Sequence, residues 1–225
     1  MTLHILSTLG VAGILRDALP AATAAGFPND AKLDPTARLV AAIEAGARGD
    51  VAILTAEAIE ALTARGILAA GTRIDFCHSY VGLAVKAGAP HPDIGTEAAF
   101  LATLRAAPSL AYSRAGASGL FFAGLVERLG IAAEINAKAT VIPQGFTAEL
   151  AARGEVALAI QQVSELQAIP GIEVVGKLPP SCNTCAVFSG ALFADAQPAA
   201  RGLLDWLAAR MTPAVLQAAG LETPR

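Results

Sequence analysis

At 225 residues the chain has room for one large domain or two small ones. Hydrophobic residues make up 54% and charged residues 16%, yet alanine carries much of the mean hydropathy of +0.54, and no uninterrupted apolar run approaches the roughly 20 residues of a membrane-spanning helix. A net charge of −3 and a pI of about 5.6, with no basic stripe, argue against nucleic acid as a partner and require any anion site to be a local feature.

Taken in chain order, strands and helices alternate. Leu3 to Leu6 reads as a short buried strand, Gly13 to Ala25 as a helix, and Pro35 to Ala47 as a second helix with Leu39, Ile43 and Ala47 on one face. Val51 to Leu54 is a strand, and Ala56 to Arg65 a helix ended by Gly66. Ser79 to Val85 is a strand, and Thr96 caps a helix running to Ala106. Leu110 to Tyr112 is a strand, Gly119 to Leu129 a helix, Val141 to Pro143 a strand and Phe146 to Arg153 a helix stopped by Gly154. Val156 to Ile160, Glu173 to Val175 and Ala186 to Leu192 are strands; Ser164 to Gln167, Pro198 to Ala209 and Pro213 to Ala219 are helices. This alternation predicts an α/β protein with mainly parallel sheets.

Three strand-to-helix junctions are built from small residues: Ser7-Thr8-Leu9-Gly10, Ser113-Arg114-Ala115-Gly116-Ala117-Ser118-Gly119, and Gln144-Gly145-Phe146-Thr147. Each leaves backbone N–H groups and a positive dipole end at a helix start, which suits a small anion without a metal. A bare glycine also lets a ligand approach the backbone closely. The competing role for the Ser and Thr residues is ordinary helix capping.

Nothing points to a nucleotide, since neither a P-loop nor a Gly-x-Gly-x-x-Gly opening a helix is present. Of the three cysteines, Cys182 and Cys185 form a CxxC. No second pair or matching histidines complete a zinc site, and the motif follows Pro179-Pro180 in a loop, so the cysteines read first as incidental thiols, with a disulfide as the alternative if the protein is exported and a catalytic role as the remaining one. No metal or cofactor is expected. Residues 3 to 15 are apolar and Ala22-Thr23-Ala24 resembles a cleavage site, but no Lys or Arg precedes the run and Arg16-Asp17 interrupts its end. The expectation is a cytoplasmic protein without membrane insertion, or a periplasmic one if an export signal has been removed.

The N-terminal strand, loop and helix are followed by Leu39 to Gly46 (LVAAIEAG) and Gly49-Asp50-Val51-Ala52-Ile53-Leu54. Gly154-Glu155-Val156-Ala157-Leu158-Ala159-Ile160 and a closing Ala200 to Leu207 helix come later. This order, over nearly the whole chain, resembles type II periplasmic binding proteins, in particular the molybdate-binding protein family and its relatives of the aconitate isomerase type. The resemblance implies two α/β lobes, residues 1–78 plus 188–225 and residues 79–187, with a ligand cleft between them. It places Ser7, Thr8, Gly10 and Thr36 on the ligand from the first lobe. Ser113, Arg114, Gly116, Ala117, Ser118, Gly119, Gln144 and Gly145 follow from the second, with Phe188 near a late aromatic contact.

The second loop here, Leu33-Asp34-Pro35-Thr36-Ala37-Arg38, lacks the adjacent serines of the molybdate pattern. Arg38 and Arg114 instead offer planar forks suited to carboxylates. Gln161 and Gln162, directly after a strand, are further candidate contacts that would sort polar ligand groups. His78 and Glu165 are the candidates for proton transfer; His4, in a strand, and His91, between prolines, read as structural and exposed. The resemblance therefore implies a binder of a small organic polycarboxylate, read first as a cofactor-independent isomerase that shifts a double bond by proton transfer. The alternative is a solute receptor for molybdate or an organic acid, which alone would have an ABC permease as partner.

Overall fold

The structure, a computed structural model, describes residues 1–224. The chain divides into two compact units: unit 1 comprises Met1–Ser79 and the chain from Ala186 onward, and unit 2 comprises Tyr80–Cys185.

Unit 1 opens with β1 (Leu3–Ser7), a short 3-10 turn (Leu9–Val11) and α1 (Ala12–Ala24), followed by β2 (Asn29–Leu33), α2 (Thr36–Glu44), β3 (Val51–Thr55) and α3 (Ala56–Ala64). β4 (Ile74–Lys86) begins here and carries the chain into unit 2. The chain returns along β9 (Cys185–Leu192) and closes with α9 (Ala200–Ala208) and α10 (Pro213–Ala218). β1 lies between β2 and β3, parallel to both, and β9 pairs antiparallel with β3. Side chains of a strand alternate between faces. Leu3, Ile5, Val51 and Ile53 accordingly enter one core with α1 and α9, while Leu6, Ala52 and Leu54 enter a second with Leu39, Ile43 and Ile59.

Unit 2 continues with α4 (Glu97–Ala106), β5 (Leu110–Ser113), α5 (Ala117–Arg128), α6 (Ala132–Asn136), β6 (Ala139–Ile142), α7 (Thr147–Arg153), β7 (Leu158–Gln162), α8 (Val163–Gln167) and β8 (Ile172–Lys177). β5 is parallel to both β6 and β7, while β4 runs antiparallel to β7 and β8. One face carries large side chains, including Leu83, Phe100, Tyr112 and Phe122. The other is alanine-rich: Ala84, Ala111 and Ala159 meet Ala148 and Ala151 of α7. Small residues on both partners let this short helix lie close against the sheet.

Most helices and strands expected from the sequence are present, with ends displaced by a few residues. Three features were not legible. β2 has the polar sequence Asn-Asp-Ala-Lys-Leu and is held by pairing to β1 along its full length. α6 is a five-residue helix whose one buried side chain is Ile135. β4 starts at Ile74, five residues before the apolar run at Ser79.

Candidate functional site

Parallel register collects the strand ends within each unit. In unit 1, Ser7 lies level with Leu33 of β2 and Ile53 of β3. In unit 2, Ser113 lies level with Ile142, and the pairing of Ala111 with Ala159 carries the register on to Gln161. The three junctions of the sequence therefore leave strands at such edges, where α/β folds place their ligands.

In unit 2 the Ser113–Gly119 loop is shaped by close approach. Arg114 N–H donates to Ile142 O at 2.8 Å, pinning the loop to β6. Gly116 N–H donates to Ser113 Oγ at 3.2 Å. A Cβ on Gly119 would fall 1.8 Å from Ser113 O, and one on Gly116 2.6 Å from Ser113 Oγ. Both glycines are required by packing as much as by any ligand. The start of α5 has no side-chain cap. Ser118 sits in its first turn, 1% exposed, and its Oγ has no hydrogen-bond partner among the described residues. A buried hydroxyl without a partner costs about 1–3 kcal/mol, so its persistence calls for a ligand or water. Arg114 is exposed beside this helix start. Tyr112, at the end of β5, donates to Asn136 at 2.7 Å, and burial pushes its hydroxyl pKa up.

The other two helix starts at this edge are closed. Gln161 Oε1 accepts from Thr147 N–H at 2.8 Å and from Thr147 Oγ1 at 3.0 Å, while Gln161 Nε2 donates to Gly145 O at 3.0 Å. The loop at Gly145, where φ is +87°, is thereby tied to β7. Gln144 is exposed. Gln162 and Glu165 form a capping box on α8: the Gln162 side chain accepts from Glu165 N–H, and Glu165 Oε2 accepts from Gln162 N–H at 3.3 Å. Glu165 is buried, and loss of hydration raises its carboxyl pKa from the ordinary 4.5 to about 7, against the opposing hydrogen bonds from Gln162 and Gln161.

In unit 1, Ser7 and Thr8 are buried at the end of β1. Thr8 N–H donates to Ile53 O at 2.8 Å, and Ser7 Oγ donates to Thr8 O at 3.1 Å. Thr36, the first residue of α2, is hydrogen-bonded through Oγ1 to Thr8 Oγ1 at 3.0 Å. Neither α2 nor the 3-10 turn is capped by a side chain, whereas α3 is capped by Thr55. The hydroxyls of Thr8 and Thr36 thus form a pair at the strand edge instead of capping helices. Gly10 lies over the Phe188 ring, which a Cβ there would approach to 2.3 Å. Phe188 is 1% exposed and supports the loop from within the core. Arg38 is paired with Asp34 at 3.5 Å with half of its side chain exposed. His78 is half-buried, and its backbone pairs with that of Glu222 through bonds of 2.8 and 2.9 Å.

The structure brings one further hollow into view, of about 420 Å³ within unit 2, lined by Tyr80, Ile94, Lys177, Pro179, Asn183 and Cys185 among others. Lys177 Nζ lies 4.4 Å from the Tyr80 ring centroid there. Most of its lining is the single stretch from Lys177 at the end of β8 to Cys185 at the start of β9, met by Tyr80 of β4 and by Ile94 and Gly95 of the loop before α4.

Residues 3–222 match the model of the bacterial extracellular solute-binding proteins. The chain belongs to that family. Among curated proteins this family member is similar to an aconitate isomerase from Pseudomonas sp, with 34% identity over 230 residues covering 98% of this chain and 87% of that one. Among solved structures it superposes on the Azotobacter vinelandii periplasmic molybdate-binding protein with a TM-score of 0.79 and 16% identity, over 99% of this chain and all of the other. The periplasmic binding protein AfuA from Actinobacillus pleuropneumoniae, with fructose-6-phosphate bound, gives a TM-score of 0.73 and 13% identity over 98% of this chain and 83% of that one. The fold of this solute-binding-family chain is that of the type II periplasmic binding proteins.

Proposed function

We propose that this member of the solute-binding family is a cofactor-independent isomerase of the aconitate isomerase type, acting on a small organic polycarboxylate. The observation that carries the binding half of this reading is Ser118: a buried hydroxyl without a partner among the described residues, in the first turn of a twelve-residue helix with no side-chain cap. An oxyanion bound there accepts a hydrogen bond from Ser118 and faces the positive end of the helix. Exposed Arg114 then offers a two-pronged contact to a carboxylate.

The chemical half is supported by the aconitate isomerase relative and by Glu165. Moving a double bond within a tricarboxylate removes a proton from the carbon beside a carboxylate. The electron pair shifts through the adjacent double bond, and a proton returns at its far end. A carboxyl with a pKa of about 7 is suited to take and give back that proton near neutral pH. His78 is the second candidate for this transfer.

The experiment is incubation with cis-aconitate or trans-aconitate in D2O, following both by NMR. Interconversion with deuterium entering the product carbon supports the isomerase. The family match and the molybdate-binding structural neighbour favour a second reading, a solute receptor serving an ABC permease. Absence of interconversion together with tight molybdate binding by calorimetry would establish that reading instead.

A further inference from the structure

The hollow in unit 2 lined by Tyr80, Lys177 and Cys185 shares no residue with the Ser113–Gly119 loop or with the α8 capping box, and internal bonds hold its walls. The Asn183 side chain ties one wall to β4. Its Oδ1 accepts from Val81 N–H at 3.0 Å and from Thr184 N–H at 2.8 Å, while its Nδ2 donates to Val81 O at 2.9 Å and to Leu178 O at 3.0 Å. Leu178 N–H donates to the same Val81 O at 3.0 Å. Two adjoining prolines, Pro179 and Pro180, fix their own φ angles and lead into a 3-10 turn. A volume of about 420 Å³ lies within the range of small-molecule pockets.

The lining also dictates what fits. Among the described residues that line the hollow Lys177 alone is charged, and its Nζ lies 4.4 Å from the centroid of the Tyr80 ring, an attraction that steadies the ammonium. An ammonium brings three donors and can serve a carboxylate alongside its other contacts. The Asn183 amide has both lone pairs and both N–H groups spent, so it has nothing left for a ligand. Ile94, Pro179 and Pro180 present hydrocarbon. A second carboxylate on the ligand would lose its hydration against them without gaining a partner, whereas an alkyl or aryl body gains from burial there. We propose that this hollow is a second ligand site, which takes a small monocarboxylate with an apolar body, the carboxylate on Lys177 and the body against Ile94 and the two prolines. The assignment does not depend on the isomerase reading, because the same lining disfavours a polycarboxylate.

The test uses Cys185, the exposed cysteine in the lining, as its reporter, since Cys77 and Cys182 are buried. The full chain is alkylated with iodoacetamide, and the peptide that carries Cys185 is followed by mass spectrometry with hexanoate, hexanamide or succinate present. Saturating hexanoate is expected to slow alkylation of Cys185 several-fold. Hexanamide keeps the body without the charge, and should need a concentration about tenfold higher for the same protection. Succinate keeps the charge without the body, and should fall short by about tenfold as well. Lys177→Met should weaken protection by hexanoate about tenfold through loss of a hydrogen bond to a charged group, and Lys177→Arg should retain most of it. Unchanged alkylation with hexanoate, or equal protection by hexanamide or by succinate, overturns the proposal. Should Lys177→Met fail to fold, the comparison of hexanoate with hexanamide on the wild-type chain decides alone. Aconitate turnover does not enter the readout, so failure here leaves the isomerase reading standing, and absence of turnover leaves this site standing.

Discussion

Ser118 is a residue at which stability and binding are set against each other. Its Oγ is buried and has no hydrogen-bond partner among the described residues, so a ligand or water is needed to meet it. Ser118→Ala removes that group and leaves the methyl-sized remainder in place. The expected result is a protein as stable as wild type or more stable by about 1 kcal/mol in urea unfolding. Affinity for the anionic ligand should fall by about 5- to 30-fold, since one hydrogen bond to a charged group is lost. Falls in both stability and affinity would show that the hydroxyl serves packing. Glu165 gives a second residue-scale prediction, and its sign follows from burial. The folded carboxyl has a pKa of about 7 against an ordinary 4.5, so between those values the folded state binds more protons than the unfolded one. Its contribution is fully present below pH 4.5 and is lost as pH rises through about 7. Glu165→Gln, which stays neutral, should gain on wild type by up to about 3 kcal/mol between pH 5 and pH 8, measured as the difference in unfolding free energy across that range. A constant difference between the two proteins over the range would show that Glu165 titrates normally. The sequence marks Glu165 as polar in a short helix; only the fold supplies the burial that changes its chemistry.

Elements show which features of the site were legible. The small-residue stretch 113–119 announced a tight helix start, and α5 begins at Ala117. The bare spacing of glycines did not distinguish a gap for ligand from a gap for backbone. The coordinates do: a Cβ on Gly119 meets the Ser113 carbonyl oxygen at 1.8 Å, while one on Gly124, seven residues from the helix start, meets nothing within 4 Å. The same substitution should therefore act oppositely at two places in one helix. Gly119→Ala must push α5 away from β5 and is expected to cost about 2–3 kcal/mol. Gly124→Ala lies in an exposed helix interior and should add about 0.5–1 kcal/mol through helix propensity. Thermal unfolding of both variants checks the pair, and a stable Gly119→Ala would mean that the α5–β5 approach is looser than described. β2 and Gln161 were illegible for a shared reason. A polar edge strand exists because β1 offers it a partner, and an amide becomes a bridge because residues 14 and 16 positions away in sequence turn toward it. Neither cause is a local pattern.

For the whole molecule, composition sets how ligand binding must be read. A net charge of −3 gives no long-range attraction for an anion, so affinity has to come from local donors. Two chemistries compete for such donors: a compact tetrahedral dianion and an extended polycarboxylate. Uncharged hydroxyl and N–H donors suit both, but a guanidinium fork adds directed bonds to planar carboxylates. If Arg114 takes part, aconitate should stabilise the protein more than molybdate at equal free concentration. A ligand at a hundred times its dissociation constant adds about 2.7 kcal/mol to stability. In a chain of 225 residues that is a rise in Tm of about 5–10 °C. Arg114→Ala should then lower the aconitate shift and leave any molybdate shift unchanged, which separates the fork from the helix start. A larger shift with molybdate, insensitive to Arg114→Ala, would assign the donors to a tetrahedral anion and take away the ground for a carboxylate substrate.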